Sequence, residues 1–287
     1  MRWRGRRQSS NVEDVRGHRV SRGGIVGIGG TGLVVLLLFA LVTGQDPLQL
    51  LEQVSGPATD TTTTGEPYQE SPHEQEKREF VSVVLADTED VWNEVFRGEI
   101  GRQYREPTLV LFSGAVESGC GFAQAAVGPF YCPLDGKVYI DLEFYEELQQ
   151  RFGAPGDFAQ AYVVAHEVGH HVQNLLGISG KVQEAQRRGG AAANELSVRL
   201  ELQADCLSGV WANHTQRAKA VLERGDVEEA LGAAAAVGDD RIQRKTQGYV
   251  VPESFTHGSA EQRARWFRRG FEEGTLAACD TFGAEEP

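Results

Sequence analysis

Two histidines and a glutamate within five residues give this sequence its clearest chemical signal. His166, Glu167 and His170 form an H-E-x-x-H pattern inside the apolar segment AYVVAHEVGHHVQNLLG. Residues four apart project from the same face of a helix, so both imidazoles can reach one zinc ion (Zn²⁺). Glu167 lies beside that face, where its carboxylate can take a proton from a zinc-activated water. The pattern is typical of metalloproteases, although two ordinary helix histidines would give the same five letters.

A catalytic zinc site also needs a third protein ligand and one open position. No H-x-x-G-x-x-H continuation completes the motif, so the metzincin pattern is absent. The later segment RLELQADC places Glu201 and Asp205 four residues apart, on one helix face. This spacing resembles the third-ligand helix of thermolysin-like gluzincins. The resemblance implies that Glu201 binds zinc and that Asp205 orients a ligating imidazole. Glu195 is an alternative ligand.

Other histidines have less direct roles in the predicted site. His171 follows His170 but points about 100° away from it around a helix. We therefore expect His171 to pack or to support the site rather than to bind metal. Amide hydrolysis also needs a donor for the developing oxyanion. His257 is the preferred candidate for that catalytic role because Gly258 permits a tight backbone beside it, and Tyr249 and Arg241 are the alternatives.

The elements that must position these residues are a few strands followed by many helices. Strand-forming residues at 107–114 and an Asp135-Gly136 turn predict a small β-hairpin region. A helical pattern then covers 157–176, which carries the H-E-x-x-H motif. A second helix at 191–214 carries the proposed third ligand. This order is typical of an α+β fold that is mostly helical.

The N-terminal part of the chain predicts a membrane anchor. Residues 1–22 hold seven arginines against two acids, and residues 23–44 contain no charge. About 20 apolar residues cross a bilayer, and an arginine-rich flank stays in the cytoplasm. We therefore expect a basic cytoplasmic N-terminus, one transmembrane helix and a disordered tether at 45–77. The metallopeptidase domain at 78–285 would lie outside the cytoplasmic membrane, and a cleaved signal peptide is the alternative.

The charge balance limits the partners. The chain has a net charge of −13 despite its basic start, so the body of the protein is strongly acidic. An acidic surface repels a phosphate backbone, and we therefore expect no nucleic-acid partner. A peptide or protein substrate and the cytoplasmic membrane are the expected partners.

Four cysteines are present, and none forms a C-x-x-C pair. A thiolate zinc site is therefore not expected. Four cysteines allow three full pairings, and in an oxidising compartment disulfides persist. We favour Cys120–Cys132, which would close a short loop, and Cys206–Cys279, which would tie the C-terminus to the core. The alternative is four buried thiols.

Longer segments resemble one bacterial family. The blocks SGCGFAQAAVGPFYCPLDGKVYIDLEFYEEL, HEVGHH-x-QN-x-LG, LELQADCLSGVWA and SFTHGSAEQRARWF resemble those of the membrane-anchored family described as "putative neutral zinc metallopeptidase". The resemblance covers the whole chain. It implies a gluzincin-like, zincin-like fold, a bound zinc ion and peptide-bond hydrolysis. The alternative function is a membrane-tethered binding or assembly module with a structural zinc site.

Overall fold

A computed structural model of the chain describes residues 1–17, 68–187 and 192–287. In that part of the chain the fold is α+β and mostly helical, as the sequence predicts. The described strands are β1 (Val12–Asp14), β2 (Thr108–Phe112), β3 (Ala115–Ser118), β4 (Gly121–Gln124), β5 (Phe130–Cys132) and β6 (Lys137–Asp141).

The main sheet is larger than the hairpin region that the sequence predicts. It has the order β1-β2-β6-β5, with β1 and β6 parallel to β2 and with β5 antiparallel to β6. Strands β3 and β4 pair in a second, two-stranded sheet. The predicted strand at 107–114 is confirmed as β2, and the predicted Asp135-Gly136 turn joins β5 to β6. Gly136 has φ +72°, a left-handed conformation that favours glycine.

Helices form the rest of the described fold, and a π-helical turn and several short 3₁₀ turns connect them. The described α-helices are α1 (Pro72–Val95), α2 (Phe144–Gln150), α3 (Asp157–Leu175), α4 (Ile178–Arg187), α5 (Ala192–Lys219), α6 (Asp226–Ala236), α7 (Asp239–Gln247) and α8 (Ala260–Glu273).

Helix α5 packs closely against both α3 and α8, and glycine makes each approach possible. A Cβ on Gly169 of α3 would lie 3.0 Å from the carbonyl oxygen of Ala204 on α5. A Cβ on Gly270 of α8 would lie 1.9 Å from the carbonyl oxygen of Cys206, closer than atoms can approach. The two contacts place α3 and α8 against the same short segment of α5, which carries Glu201 and Asp205.

Both predicted disulfides are present. Cys120 pairs with Cys132 and closes the loop that contains β4 and β5. Cys206 pairs with Cys279 and joins α5 to the turn after α8. The four cysteines are therefore not free thiols.

The basic N-terminal segment, predicted to be a separate cytoplasmic head, packs into the same compact unit as the helices. The ring of Trp3 lies 5.4 Å from that of Phe80, and only 8% of Trp3 is exposed. Several arginines that suggested a topology signal form ion pairs with acids on or just before α1. These pairs are Arg4–Glu76, Arg6–Asp87, Arg7–Glu89, Arg7–Asp90 and Arg16–Glu70.

This packing corrects the predicted localisation. Strand β1 forms a parallel pair with β2, and the Met1 amino group lies 2.6 Å from Asp157 at the start of α3. Two segments that share a sheet cannot lie on opposite sides of a bilayer. The prediction of a cytoplasmic N-terminus with an extracytoplasmic catalytic domain is therefore wrong. The described arginines Arg4, Arg6, Arg7 and Arg16 pair with acids of the fold instead of marking a membrane side.

The predicted fold class also requires correction, because it placed a transmembrane helix before the domain. Across residues 1–17, 68–187 and 192–287, no helix is both long and apolar enough to cross a membrane. The segment 23–44, on which that prediction fell, lies outside the described residues, as does most of 45–77.

The last part of the predicted tether is helical. Helix α1 begins at Pro72, inside the segment predicted as disordered. Ser71 and Glu74 form a capping box, in which each side chain accepts a hydrogen bond from the other residue's backbone N–H. The charged composition of this segment obscured the helix, because its first turns lie mostly exposed on the surface.

Candidate metal centre

Three predicted ligands from two helices meet at one point. His166 and His170 come from successive turns of α3, and Glu201 comes from α5. One ligand atom from each residue lies within 4.8 Å of the other two. His166 Nε2 is 3.2 Å from Glu201 Oε2, and His170 Nε2 is 3.4 Å from Glu201 Oε1.

Asp205 determines which nitrogen of His166 faces this point. His166 Nδ1 lies 2.8 Å from Asp205 Oδ1, and a carboxylate only accepts hydrogen bonds. Because this contact is shorter than the 3.2 Å contact between Nε2 and Glu201, a neutral imidazole carries its proton on Nδ1. Its Nε2 presents a lone pair toward Glu201. Asp205 thus contacts the ring nitrogen of His166 that does not face Glu201, which is the position of a residue that can orient a ligand.

Gln173 determines in the same way which nitrogen of His170 carries the proton. Its amide nitrogen donates to the carbonyl oxygen of Leu200 at 2.7 Å and to Gln203 Oε1 at 3.1 Å. Its amide oxygen therefore faces His170 Nδ1, at 2.9 Å, and accepts the proton there. His170 Nε2 is left with a lone pair that also points toward Glu201.

Two imidazole lone pairs and a carboxylate thus converge, and they require a cation between them. Four donors at about 2.0–2.1 Å around a tetrahedral zinc ion are about 3.3–3.4 Å apart. The 3.2 Å and 3.4 Å distances from Glu201 to the two imidazoles match that spacing. The donor types therefore fit zinc, and each imidazole nitrogen lies at that spacing from one oxygen of Glu201.

The electrostatics support the same conclusion. Burial lowers the pKa of His166, but the charges of Asp205 and Glu201 outweigh burial and raise it to about 10. Burial likewise lowers the pKa of His170, and Glu201 raises it above its usual value. The site thus favours positive charge. Without metal, that charge is a proton on the imidazole of His166. Metal binding would displace this proton.

Glu167 lies beside the three ligands with its carboxylate available. It is 8% exposed and lines the same cavity as His166, His170 and Glu201. No side chain in the described part of the chain donates a hydrogen bond to it. Burial raises its pKa, while the charges of His166 and His170 act in the opposite direction. A buried, unpaired carboxylate next to a metal position can accept a proton from water.

The donor set opens into a cavity of about 580 Å³. His257 lies at this cavity, and its side chain is half exposed. Asp239 accepts hydrogen bonds from the backbone N–H groups of Thr256, His257 and Gly258, which fixes this loop beside the site. The hydrogen bond from His257 Nδ1 to Asp239 raises the pKa of His257, although burial opposes it.

Arg263 was not identified from the sequence as a site residue. Its side chain is buried, and it donates two hydrogen bonds to Asp205 and one to the hydroxyl of Tyr162. The hydroxyl of Tyr162 also donates to Asp205. The one available signal was a basic residue on the otherwise apolar face of α8. Its partner lies 58 positions earlier in the chain, so no local pattern connects the two.

The remaining candidates lie apart from the donor set. His171 is buried, and its ring nitrogens contact the hydroxyl of Tyr131 and the carbonyl oxygen of Arg105. Burial lowers its pKa to about 4, so it is neutral near pH 7. Glu195, the alternative ligand, forms an exposed ion pair with Arg199. The alternative oxyanion donors do not line the cavity, namely Tyr249 and Arg241.

The family model described as "Putative neutral zinc metallopeptidase" matches residues 1–282. The chain therefore belongs to this family.

Individual relatives are similar to the chain over most of its length. The uncharacterized protein YpfJ of Escherichia coli strain K12 is 50% identical over 289 residues, which cover 99% of each chain. The uncharacterized protein Rv2575 of Mycobacterium tuberculosis strain H37Rv is 42% identical over 261 residues, which cover 86% of each chain. No solved structure matches the chain.

Proposed function

We propose that this protein is a zinc-dependent peptidase whose zinc ligands are His166, His170 and Glu201. The observation that carries the proposal is the direction of the ligand lone pairs. Asp205 and Gln173 hold the protons on the far side of each imidazole, so both Nε2 atoms face Glu201. The family assignment independently supports zinc as the metal.

The residues around the metal position have separate roles in hydrolysis. A bound zinc ion would act as a Lewis acid and would lower the pKa of the attacking water. Glu167 accepts the proton of the attacking water and returns it to the leaving amine. His257, whose pKa is raised by Asp239, donates a hydrogen bond to the oxyanion that develops on the peptide carbonyl. Asp205 holds His166 in one tautomer throughout.

A peptide or protein substrate fits the cavity beside these residues. Its lining combines the polar site residues with an apolar wall. Phe144 and Phe152 form part of that wall, with ring centroids 6.3 Å apart. Val163 lies one turn before Glu167 on α3 and also lines the cavity. An apolar side chain of a peptide can occupy this wall while its neighbouring amide lies at Glu167.

A structural zinc site in a binding module is the alternative function. Such a site closes all four positions with protein ligands. Among the described residues the donor set has three members, and its remaining side faces the cavity. X-ray absorption on the zinc-loaded protein separates the two functions. Two nitrogen and two or more oxygen ligands, with one oxygen exchangeable for a small thiol or hydroxamate, support catalysis.

Hydrolysis itself is tested with a mixed peptide library. The metal-free protein, the zinc-loaded protein and a Glu201→Gln variant supplied with the same zinc are incubated with it, and new termini are identified by mass spectrometry. We expect new termini only with the zinc-loaded wild type. A zinc-loaded wild type that cleaves nothing while holding four protein ligands would support the structural alternative.

A further inference from the structure

The Cys206–Cys279 disulfide adjoins residues that contact the candidate metal centre. Both cysteines are buried, and Cys206 follows Asp205 in α5. Asp205 contacts Nδ1 of His166, so the disulfide is one residue from the support of the first imidazole.

A chain of hydrogen bonds from His170 also reaches this disulfide. His170 Nδ1 donates to Gln173, and Gln173 donates to Gln203 at 3.1 Å. Gln203 in turn donates to the carbonyl oxygen of Cys279 at 2.9 Å. Both glutamines are buried, with exposed fractions of 0% and 7%. Each amide thus has a defined orientation, and reversing one would place two donors or two acceptors in contact.

We propose that Gln173 and Gln203 are positioning residues for His170, and that the Cys206–Cys279 disulfide keeps Asp205 and Gln203 in fixed positions behind the two imidazoles. This inference rests on the metal site of the proposed function. The disulfide fixes the Cys279 carbonyl beside α5, and that carbonyl orients Gln203. The amide of Gln203 orients Gln173, whose oxygen keeps the proton of His170 on Nδ1. Without the covalent link, the turn after α8 can move away from α5. The Cys279 carbonyl, which accepts the hydrogen bond of Gln203, then moves with that turn.

The Cys120–Cys132 disulfide provides a matched control. It joins a loop to the edge strand β5. In the described part of the chain the hydrogen bonds of its two cysteines lead to Ser118, Gly136 and strand β6 and not to a metal ligand. Gln186 provides a second control, because it also connects two helices. Its amide donates to Ser197 at 2.7 Å and so links α4 to α5 away from the donor set.

The test measures zinc affinity by competition with a chromophoric chelator, together with the visible absorption spectrum of the cobalt-loaded protein. Partners that orient a ligand contribute roughly 10- to 100-fold in metal affinity. We therefore expect Gln173→Leu and the Cys206→Ala/Cys279→Ala pair each to weaken zinc binding by at least about 10-fold. We also expect both to alter the cobalt bands, which report ligand geometry. Gln186→Leu and Cys120→Ala/Cys132→Ala should remain within about twofold of wild type.

A double-mutant cycle tests whether the disulfide acts through Gln173. If it does, the combined variant loses less zinc affinity than the product of the separate losses. Should the Cys206/Cys279 variant fail to fold, Gln173→Leu decides alone, because it breaks no covalent bond. Folded variants with wild-type zinc affinity and cobalt spectrum would overturn the inference. Because the readout is metal binding, a protein that binds zinc but cleaves nothing would remove the proposed function and leave this inference intact.

Discussion

Arg263 forms two hydrogen bonds with the carboxylate of Asp205, from Nε to Oδ2 at 2.8 Å and from Nη2 to Oδ1 at 3.0 Å. Both side chains are buried, so this ion pair is shielded from water. A carboxylate that binds Arg263 on one side and His166 on the other has a fixed position. Arg263 thus connects the C-terminal helix α8 to the candidate metal centre.

Replacing Arg263 with methionine should weaken both the fold and the metal site. The change leaves the Asp205 charge buried without its partner, and removal of one member of a buried pair costs about 3–5 kcal/mol. Zinc affinity should fall by about 10-fold or more, because Asp205 is then free to turn away from His166. Chemical denaturation and chelator competition measure the two effects. Arg265→Met, an exposed change on the same helix, should leave both near wild type.

The pH dependence of hydrolysis should depend on the His257–Asp239 pair. The protonated imidazole is the form that donates to the oxyanion, so activity should decline as pH rises through the pKa of His257. The hydrogen bond to Asp239 raises that pKa. Asp239→Asn removes the negative charge, and the alkaline decline of kcat should move to lower pH. His257→Gln should lower kcat by about 100-fold or more and leave zinc affinity unchanged. An alkaline decline that stays in place in both variants would exclude His257 from this role.

Removing the metal should lower the thermal stability of the protein. A ligand that binds only the folded state adds about 2.7 kcal/mol when its concentration is 100 times its Kd. We therefore expect zinc to raise Tm in calorimetry and a chelator to reverse the change. Glu201→Gln should largely abolish the zinc-dependent rise, whereas Glu195→Gln should preserve it. If the two variants behaved in the opposite way, Glu195 would be the third ligand.

The N-terminal segment should contribute to the stability of the whole fold. Trp3→Ala removes a buried ring that packs on Phe80, and such truncations cost about 3–5 kcal/mol. Arg4→Ala removes an exposed ion pair with Glu76, which is worth about 1 kcal/mol or less. Urea denaturation of the two variants should show this difference. Equal, small effects would mean that residues near the N-terminus do not belong to the folded core.

The parts of the site that could be predicted from the sequence are those that depend on local spacing. The i, i+4 pattern placed His166 and His170 on one face of α3, and the same spacing placed Glu201 and Asp205 on one face of α5. The favoured Cys206–Cys279 pairing is also present, although no local spacing indicated it. Arg263 and Tyr162 could not be predicted in this way. Their roles depend on how α3, α5 and α8 pack together, and spacing within one helix contains no information about that packing.

The N-terminal segment shows the opposite error, in which composition suggested a wrong interpretation. A cluster of arginines before an apolar run is a topology signal only if the arginines remain in solvent near a membrane. Here Arg6 and Arg7 pair with acids on α1, more than 80 residues later in the chain. Sequence charge counts cannot distinguish a solvated cluster from one that is neutralised by a distant helix.

Glu167→Gln provides the most direct test of the proposed mechanism. The amide has almost the same size as the carboxylate but cannot accept a proton from water. We expect the zinc-loaded variant to keep its metal content and Tm and to cleave peptides at least about 100-fold more slowly than wild type. Glu228→Gln, an exposed change on α6, serves as the control. A Glu167→Gln protein that cleaves as fast as wild type would contradict the assignment of Glu167 as the general base.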